Sequence, residues 1–244
     1  MATEAFIDGV ALERSLSALR AHGSEEHLID ALQQVLGATR ELFSASGAGL
    51  MLIDENTALC AVAATDEAGR MLEERQEQIG HGPCVDALVL DQITETSDLS
   101  DDERWPELGP ELPNAGVRAV LGVPVRLNGA AVGALNVYRH EPHAWDRSEI
   151  AALSSYGGLI EGVLRTALQA HQRNQLAEQL QHALDNRVVI DRAVGVIMAR
   201  ERVDPVTAFN RLRIRARSAE RKIVDVAEEL LASVATSPGL PAAS

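Results

Sequence analysis

The sequence predicts an α+β fold, with an N-terminal antiparallel sheet flanked by helices, a long connecting helix and a C-terminal bundle of three helices. Three observations predict this fold. Short apolar runs between positions 48 and 139 are separated by polar turns, which is typical of antiparallel strands. No proline occurs from 146 to 185, which favours one long helix. Apolar residues recur at helical spacing over 187–234.

The N-terminal half contains several helix signals. An amphipathic helix is predicted over 4–20, and a second helix is predicted to begin at Ser24, where two glutamates favour its first turn. Further helices are predicted at Arg70–Gln78 and from Pro83, because proline suits a first helical turn. A helical turn is predicted within Asp101–Leu112.

Short apolar or β-branched runs predict five strands. These runs are Ala48–Ile53, Leu59–Ala64, Gln92–Thr96, Val117–Leu127 and Ala130–Arg139. Asn128 and Gly129 separate the last two runs, and this dipeptide is a strong hairpin signal because both residues accept positive φ angles. The strands are therefore predicted to pair antiparallel.

The long helix has both a start signal and an apolar stripe. Asp146 and Glu149 form a D-x-x-E pattern close to a capping box, and the helix is predicted to run to about Asp185. Its imperfect stripe consists of Leu164, Leu168, Leu176, Leu180, Ala183 and Leu184. Because the stripe is longer than the sheet domain can cover, we expect a homodimer, with a coiled coil as one form of its interface.

The C-terminal segment predicts three packed helices. Arg187–Arg202 is so apolar that a helix there must be buried on several sides. Asp204 and Pro205 supply the N-cap and first turn of the next helix, and Ser218 is predicted to cap the last one.

Composition excludes several classes of protein. Hydrophobic residues make up 46% and charged residues 24% of the 244 residues, which is typical of soluble globular domains. Aromatic residues make up 3%, which argues against a platform that stacks successive bases. The acidic N-terminus does not resemble a signal peptide, and no apolar run approaches the length of a membrane span. We therefore expect a cytoplasmic protein that does not bind membranes.

Charge is distributed unevenly along the chain. Residues 1–171 include 27 acidic and 11 basic residues, whereas residues 172–244 include 9 acidic and 11 basic residues. Positions 200–222 alone carry 8 basic and 3 acidic residues. This asymmetry indicates a nucleic-acid-binding module, although a solvated helix face would give the same pattern.

Three runs in the C-terminal helices match a known pattern at the expected spacing. They extend from Arg187 to Arg200, from Ala208 to Arg213 and from Arg221 to Ala227. The runs resemble the three helices of the ANTAR domain. That resemblance implies a module that binds paired RNA stem-loops, often as a dimer, and acts in bacterial transcription antitermination. Two positions depart from the family pattern, because Val194 replaces a common lysine and Glu220 replaces a frequent asparagine.

The predicted RNA-binding surface combines basic side chains with one glycine. Arg213 and Arg217 are one turn apart on one flank of the second helix, and Gly195 on the first helix leaves room for a phosphate backbone. Arg211 and Arg215 lie on the opposite flank and form the next pair to consider. Surface salt bridges are the alternative role for these arginines. The full predicted set is Arg192, Gly195, Arg213, Arg217, Arg221 and Lys222.

Five motifs between residues 25 and 165 match a second pattern. The motifs are Gly82-Pro83-Cys84, Ser97-Asp98-Leu99, Arg104-Trp105-Pro106, Gly116-Val117-Arg118 and the run from Gly133 to Tyr138. They resemble a GAF domain of the kind fused to ANTAR in actinobacteria, which implies a sheet of five or six antiparallel strands and a sensing role. Cys84, Trp105 and Tyr138 are the candidate ligand-pocket residues, with core packing as the alternative for the two aromatic side chains.

The remaining reactive side chains form no complete catalytic constellation. Cys60 and Cys84 suggest a redox pair or a site like that of GAF-fold methionine sulfoxide reductases, and His81 lies near Cys84 in the sequence. Haem ligation by His81 or His143 is a further alternative. No paired His or Cys occurs at metal-ligand spacing. We therefore expect no catalytic residue, cofactor or metal.

These observations divide the chain into four predicted segments. They are a GAF-like sensor domain with N-terminal helices over 1–165, a connecting helix over 166–186, an ANTAR RNA-binding domain over 187–235 and a disordered tail over 236–244. The expected function is signal-responsive antitermination, in which the sensor responds to a small-molecule ligand or an upstream signalling protein. The alternatives are a redox enzyme or redox sensor using Cys60 and Cys84, and a DNA-binding regulator.

Overall fold

The computed structural model describes residues 7–21, 28–54, 59–169 and 175–235. In these ranges the helices are α1 (Gly9–Ala21), α2 (Leu28–Phe43), α3 (Glu67–Ile79), α4 (Pro83–Leu90), α5 (Arg147–Gln169), α6 (Gln175–Glu201), α7 (Pro205–Ser218) and α8 (Ile223–Ala235). The strands are β1 (Gly47–Ile53), β2 (Leu59–Ala64), β3 (Thr94–Thr96), β4 (Ala119–Leu127) and β5 (Ala130–Arg139). The α+β fold class is as predicted, and the predicted tail over 236–244 lies outside the described residues.

The five strands form one antiparallel sheet in the order β2-β1-β5-β4-β3. Asn128 and Gly129 join β4 to β5 with φ angles of 53° and 85°, so the predicted hairpin is confirmed. Every residue of β1 is buried, because both faces of the sheet are covered by other elements.

Helices cover the sheet on its two sides. Successive residues of β4 point in opposite directions, so Gly122 faces the main chain of Pro83 on α4 while Val123 faces Gly157 on α5. Helix α2 packs beside α5, and α3 packs on β1 and β2. The segment between β3 and β4 folds over the α4 side as a series of turns, where Trp105 is buried. The helical turn predicted within Asp101–Leu112 is confirmed, because the Leu112 amide donates to the Leu108 carbonyl at 3.1 Å.

The start of α5 has the predicted capping geometry. Asp146 Oδ1 accepts hydrogen bonds from the amides of Ser148 and Glu149, at 2.6 and 2.9 Å. In return, Glu149 Oε2 accepts from the Asp146 amide at 2.9 Å. These reciprocal hydrogen bonds between Asp146 and Glu149 fix the start of α5.

The predicted stripe on the long helix falls on the elements α5 and α6. Helix α5 ends at Gln169 and α6 begins at Gln175, and the predicted continuity across 170–174 lies outside the described residues. Leu164 is fully buried, and Leu168 and Leu184 pack on the same core as the sheet. These leucines are therefore packed against other residues of the same chain. The side chains of 175–183 lie outside the described part of the structure.

The three C-terminal helices build a separate core. Asp204 Oδ1 accepts a hydrogen bond from the Thr207 amide at 2.9 Å, as expected for the N-cap of α7. The prediction that Ser218 caps the last helix is wrong, because Ser218 is the final residue of α7 and α8 begins only at Ile223. Between them Glu220 takes a left-handed conformation with φ of 50°, which separates the two helices.

Two predicted helix starts also shift. The first helix begins at Gly9, and the part predicted at 4–6 lies outside the described residues. Helix α3 begins at Glu67, three residues before the predicted position, because Asp66 caps it by accepting from the Gly69 amide at 2.9 Å.

Candidate functional site

The arginines of α7 divide into two pairs with different partners. Arg211 and Arg215 both form ion pairs with Glu201 at the end of α6, and the Arg215 Nη2 to Glu201 Oε1 distance is 2.6 Å. Arg213 and Arg217 instead contact the end of α3 in the sheet domain, which comprises α1–α5 and β1–β5. The two arginine pairs therefore lie on opposite flanks of α7, as predicted, and each pair contacts different partners.

Arg213 is half-buried and hydrogen-bonded to neutral acceptors. Its Nη1 donates to the main-chain oxygen of Glu77 at 3.0 Å, and its Nε and Nη2 donate to Asn210 Oδ1 at 3.3 and 3.2 Å. In the described part of the chain no carboxylate forms an ion pair with it. Burial, together with the nearby Arg217, lowers the pKa of its guanidinium. The nearby Glu77 carboxylate acts in the opposite direction on this pKa, so it compensates the positive charge only in part.

The acceptors for Arg213 and Arg217 are carbonyls at a helix end. Arg217 Nη1 donates to the main-chain oxygen of Gln78 at 3.4 Å, next to the Glu77 carbonyl that Arg213 uses. These oxygens belong to the last turn of α3, where carbonyls lack partners within the helix and carry partial negative charge. Gly80 ends the helix in a left-handed conformation with φ of 70°.

Four of the six predicted RNA-binding residues line one cleft between α3 and α7. The cleft has a volume of about 410 Å³, and we call it the basic cleft after its basic side chains, Arg213, Arg217, Arg221 and Lys222. Phe209, Val85 and Ile223 supply apolar walls. Glu220, the departure from the family pattern, brings a carboxylate to the same cleft. Arg221 also forms an ion pair with Glu229 on α8, which is the salt-bridge role that was the alternative for these arginines.

The other two predicted residues do not line the basic cleft. Arg192 and Gly195 are exposed on α6, and Gly195 lines a second cleft of about 410 Å³ beside the β4–β5 hairpin. A Cβ atom at Gly195 would meet no heavy atom within 4 Å, so there is room for a close approach. Val194, where the family often has lysine, is 8% exposed and packs in the C-terminal core. Its role in this chain is packing.

Arg187, which the sequence pattern does not mark as a site residue, is buried where the two domains meet. Its Nε lies 3.0 Å from Asp191 Oδ1, and its Nη2 donates to the main-chain oxygen of Leu88 on α4 at 3.4 Å. Among the described residues its Nη1 has no hydrogen-bond partner. The i,i+4 spacing of Arg187 and Asp191 is visible in the sequence, but it is equally common on exposed helix faces.

A second missed feature is a buried polar cluster beneath α3 in the sheet domain. Glu73 accepts hydrogen bonds from Asn136 Nδ2 and from Gln76 Nε2, the latter at 3.4 Å. Cys84 Sγ lies 3.1 Å from Asn136 Nδ2, and the Cys84 amide donates to Gln76 Oε1 at 2.7 Å. A side chain at Gly49 would overlap Glu73, so this glycine makes room for the carboxyl group. Burial raises the pKa of Glu73 to about 7.

The three predicted pocket residues are all fully buried. Trp105 and Tyr138 belong to one core cluster, and Cys84 belongs to another. The indole nitrogen of Trp105 donates to Asp86 Oδ2 at 3.2 Å, and the Tyr138 hydroxyl donates to Asp66. Both aromatic side chains therefore have the packed environment that was the alternative to a ligand pocket.

Burial affects both candidate redox cysteines, and the candidate haem ligand His143 already contacts a carboxylate. Burial raises the pKa of Cys60 to about 12, and it raises the pKa of Cys84 well above its ordinary value, so both thiols stay protonated at neutral pH. His143 Nε2 is already 2.9 Å from Glu149 Oε2. Among the described residues no group of three His, Cys, Asp or Glu side chains could hold a metal ion.

Across the described ranges, none of the helices combines the length and apolar character that crossing a bilayer requires. Comparison with curated protein sequences gives no significant match.

Solved structures with a similar fold cover about two thirds of this chain. The GAF domain of a phosphoenolpyruvate-protein phosphotransferase from Acinetobacter is 19% identical, with a TM-score of 0.53, over 68% of this chain and 96% of that chain. The corresponding domain from Coxiella burnetii is 18% identical, with a TM-score of 0.52, over 69% and 99%. Free methionine-R-sulfoxide reductase from Neisseria meningitidis, in complex with its substrate, is 15% identical, with a TM-score of 0.52, over 66% and 89%. At these identities the similarity establishes the fold alone.

Two family models match different parts of the sequence. The GAF domain model matches residues 27–164, which is more than half of the chain. The ANTAR domain model matches residues 178–231, a range that contains all six predicted RNA-binding residues. The chain therefore belongs to the GAF domain family and carries a C-terminal ANTAR domain, which together make it a regulatory protein.

Proposed function

We propose that this protein is a signal-responsive regulator of transcription antitermination. Its ANTAR domain binds paired stem-loops in nascent RNA, and its GAF domain receives a signal from a small-molecule ligand or an upstream signalling protein. We place it in the cytoplasm as a homodimer. No cofactor and no catalytic step belong to this proposal.

One observation carries the RNA-binding part of the proposal. Arg213, Arg217, Arg221 and Lys222 line one surface of the ANTAR domain, although the whole chain has a net charge of −14. Guanidinium groups donate in a planar fork that matches phosphate oxygens. A patch of three guanidinium groups and one lysine ammonium group is the electrostatic footprint expected of a nucleic-acid-binding surface.

The proposed mechanism follows from competition between RNA structures. Neutralising backbone phosphates stabilises the stem-loops to which the protein binds, so the competing terminator hairpin forms less often. The GAF domain exists in two states, and its signal shifts their populations. Helices α5 and α6 connect the sensor to the ANTAR domain and carry that shift.

An arginine-rich three-helix module could equally bind a DNA groove, so RNA must be distinguished from DNA. The test is fluorescence anisotropy of the full chain with an RNA of two consecutive stem-loops and with duplex DNA of matched length. We expect the stem-loop RNA to bind more tightly at every salt concentration. Tighter binding to the duplex would replace this proposal with a DNA-binding regulator.

A further inference from the structure

The ANTAR domain is docked on the GAF domain through the proposed RNA-binding arginines. Arg213 and Arg217 donate to the Glu77 and Gln78 carbonyls at the end of α3. Arg187 donates in the same manner to the Leu88 carbonyl at the end of α4. The ANTAR arginines thus bind the negative ends of two helices of the GAF domain.

We propose that the end of α3 is an intramolecular binding surface that competes with RNA for α7. The proposal rests on the proposed RNA-binding function and adds its regulation. In the docked chain the main-chain oxygens of α3 occupy the donors that phosphate oxygens would use. RNA can engage Arg213 only after α7 separates from α3.

The hydrogen bonds of Arg213 show why the two partners exclude each other. Its Nη1 is used by Glu77, and its Nε and Nη2 are used by Asn210. The side chain is only partly exposed, and it lies against Gly80. Three of the five N–H donors of the guanidinium are therefore already used, and a phosphate group can reach only part of the donor fork while α7 is docked.

Charge strengthens the competition. Residues 1–171, which include the GAF domain, contain 27 acidic and 11 basic residues. Docking places this acidic domain beside the basic cleft, where it repels a polyanion. Glu77 itself lines the cleft with its carboxylate-bearing side chain.

The contact also has an apolar part, so it is more than a few hydrogen bonds. Val89 of α4 packs against the core of the ANTAR domain. Phe209 of α7 belongs to that core and lines both clefts between the domains. Separation of α7 must expose part of this apolar surface to water. The free-energy cost of that exposure stabilises the docked state in the absence of RNA.

Helix α3 links the docking contact to the interior of the sensor. Glu73 and Gln76 join the buried polar cluster under the helix, and Glu77, Gln78 and Gly80 form the docking end. A signal that rearranges the buried cluster moves the same helix that holds the arginines. This arrangement gives the GAF domain a direct route to the RNA-binding surface.

Gly80 provides a test on the GAF side of the contact. A Cβ atom at Gly80 would overlap the Arg213 guanidinium, which must then move away. Asparagine tolerates the left-handed conformation that Gly80 adopts, so a Gly80→Asn variant keeps the end of α3. The variant changes no residue proposed to touch RNA.

The first measurement is the affinity of the full chain for a fluorescein-labelled RNA of two stem-loops. We expect Gly80→Asn to bind roughly three- to tenfold more tightly than the parent, because a larger fraction of molecules is competent to bind. The gain should disappear when Gly80→Asn is combined with Arg213→Ala. Equal affinity of parent and Gly80→Asn, with Arg213→Ala still weakening binding, overturns the docking proposal and leaves the proposed function standing.

The second measurement needs no disruptive substitution. Spin labels are attached at the exposed Met71→Cys on α3 and Ile214→Cys on α7, with Cys60→Ser removing the half-exposed native thiol. Saturating RNA should lengthen the distance between the labels. An unchanged distance between the labels with RNA bound overturns the docking proposal. A different outcome concerns affinity: if neither the parent nor Gly80→Asn binds the RNA more tightly than duplex DNA, the proposed function and the docking proposal are both overturned.

Discussion

Glu73 is a buried carboxyl group surrounded by neutral partners. Its contacts are Asn136, Gln76 and Cys84, and among the described residues no cation pairs with it. Burial raises its pKa to about 7, from an ordinary value of 4.5. The folded chain therefore keeps this proton over a pH range in which the unfolded chain has already lost it.

The consequence is a stability that falls as pH rises. Between pH 4.5 and about 7 the folded state binds more protons than the unfolded state, so the free energy of unfolding decreases with pH. The loss is complete above about pH 7 and amounts to roughly 3 kcal/mol at most. Glu73→Gln should remove this loss, and it should be more stable than the parent at about pH 8 in urea unfolding.

The control for Glu73 is Glu74→Gln, at an exposed position on the same helix. We expect it to change the free energy of unfolding by less than about 0.5 kcal/mol at any pH. If the stability difference between parent and Glu73→Gln did not vary with pH, Glu73 would not be the titrating group.

The two cysteines lead to a prediction about chemistry. Burial raises the pKa of both thiols, so we expect neither to supply the thiolate that nucleophilic catalysis requires. A Cys60→Ser, Cys84→Ser variant should bind stem-loop RNA as the parent does, and the parent should show no turnover of free methionine sulfoxide. Turnover by the parent that is lost in the variant would make the GAF domain an enzyme.

At the scale of elements, the clearest sequence signals were local ones. Asn128 and Gly129 predicted their hairpin because the required φ angles belong to those two residues. Asp204 predicted the start of α7 because a capping side chain acts within one turn. Ser218 gave a wrong prediction of a helix start, because a serine near a helix end can equally be the last residue of the preceding helix.

The docked position of α7 could not be predicted in the same way. The acceptor for Arg213 is a main-chain carbonyl 136 residues away, and every residue carries such a carbonyl. The buried cluster around Glu73 was missed for a related reason, because its members come from α3, α4 and β5 and show no common spacing. Local chemistry thus predicts elements well, while contacts between distant elements depend on the completed fold.

The element-scale prediction concerns α6 and dimerisation. Leu176 and Leu180 belong to the predicted stripe and lie near the start of α6, ahead of the run from Arg187 to Arg200 that carries the ANTAR resemblance. We expect light scattering to give twice the 26.2 kDa chain mass. A Leu176→Glu, Leu180→Glu variant should be monomeric and should lose more affinity for paired stem-loops than for a single one. A parent of 26.2 kDa at micromolar concentration would contradict the dimer.

At the scale of the whole molecule, an acidic domain and a basic surface meet along one contact. Arg213 and Arg217 are turned towards the GAF domain, and Arg211 and Arg215 are held on the opposite flank by Glu201. Two arginine pairs of the same composition and spacing on the same helix therefore have different roles. That difference makes each pair a control for the other.

We expect Arg213 and Arg217 to contact RNA phosphates, and a salt series on two double variants tests this contact. Each phosphate contact contributes about 0.7–0.9 to the slope of log affinity against log salt. Arg213→Ala, Arg217→Ala should lose nearly two units of slope and bind stem-loop RNA weakly at ~0.15 M salt. Arg211→Ala, Arg215→Ala should keep the parent slope, because that pair is engaged with Glu201. The expectation is contradicted if Arg213→Ala, Arg217→Ala keeps the parent slope and affinity. If only Arg211→Ala, Arg215→Ala loses slope and affinity, the RNA-binding surface lies on the opposite flank of α7.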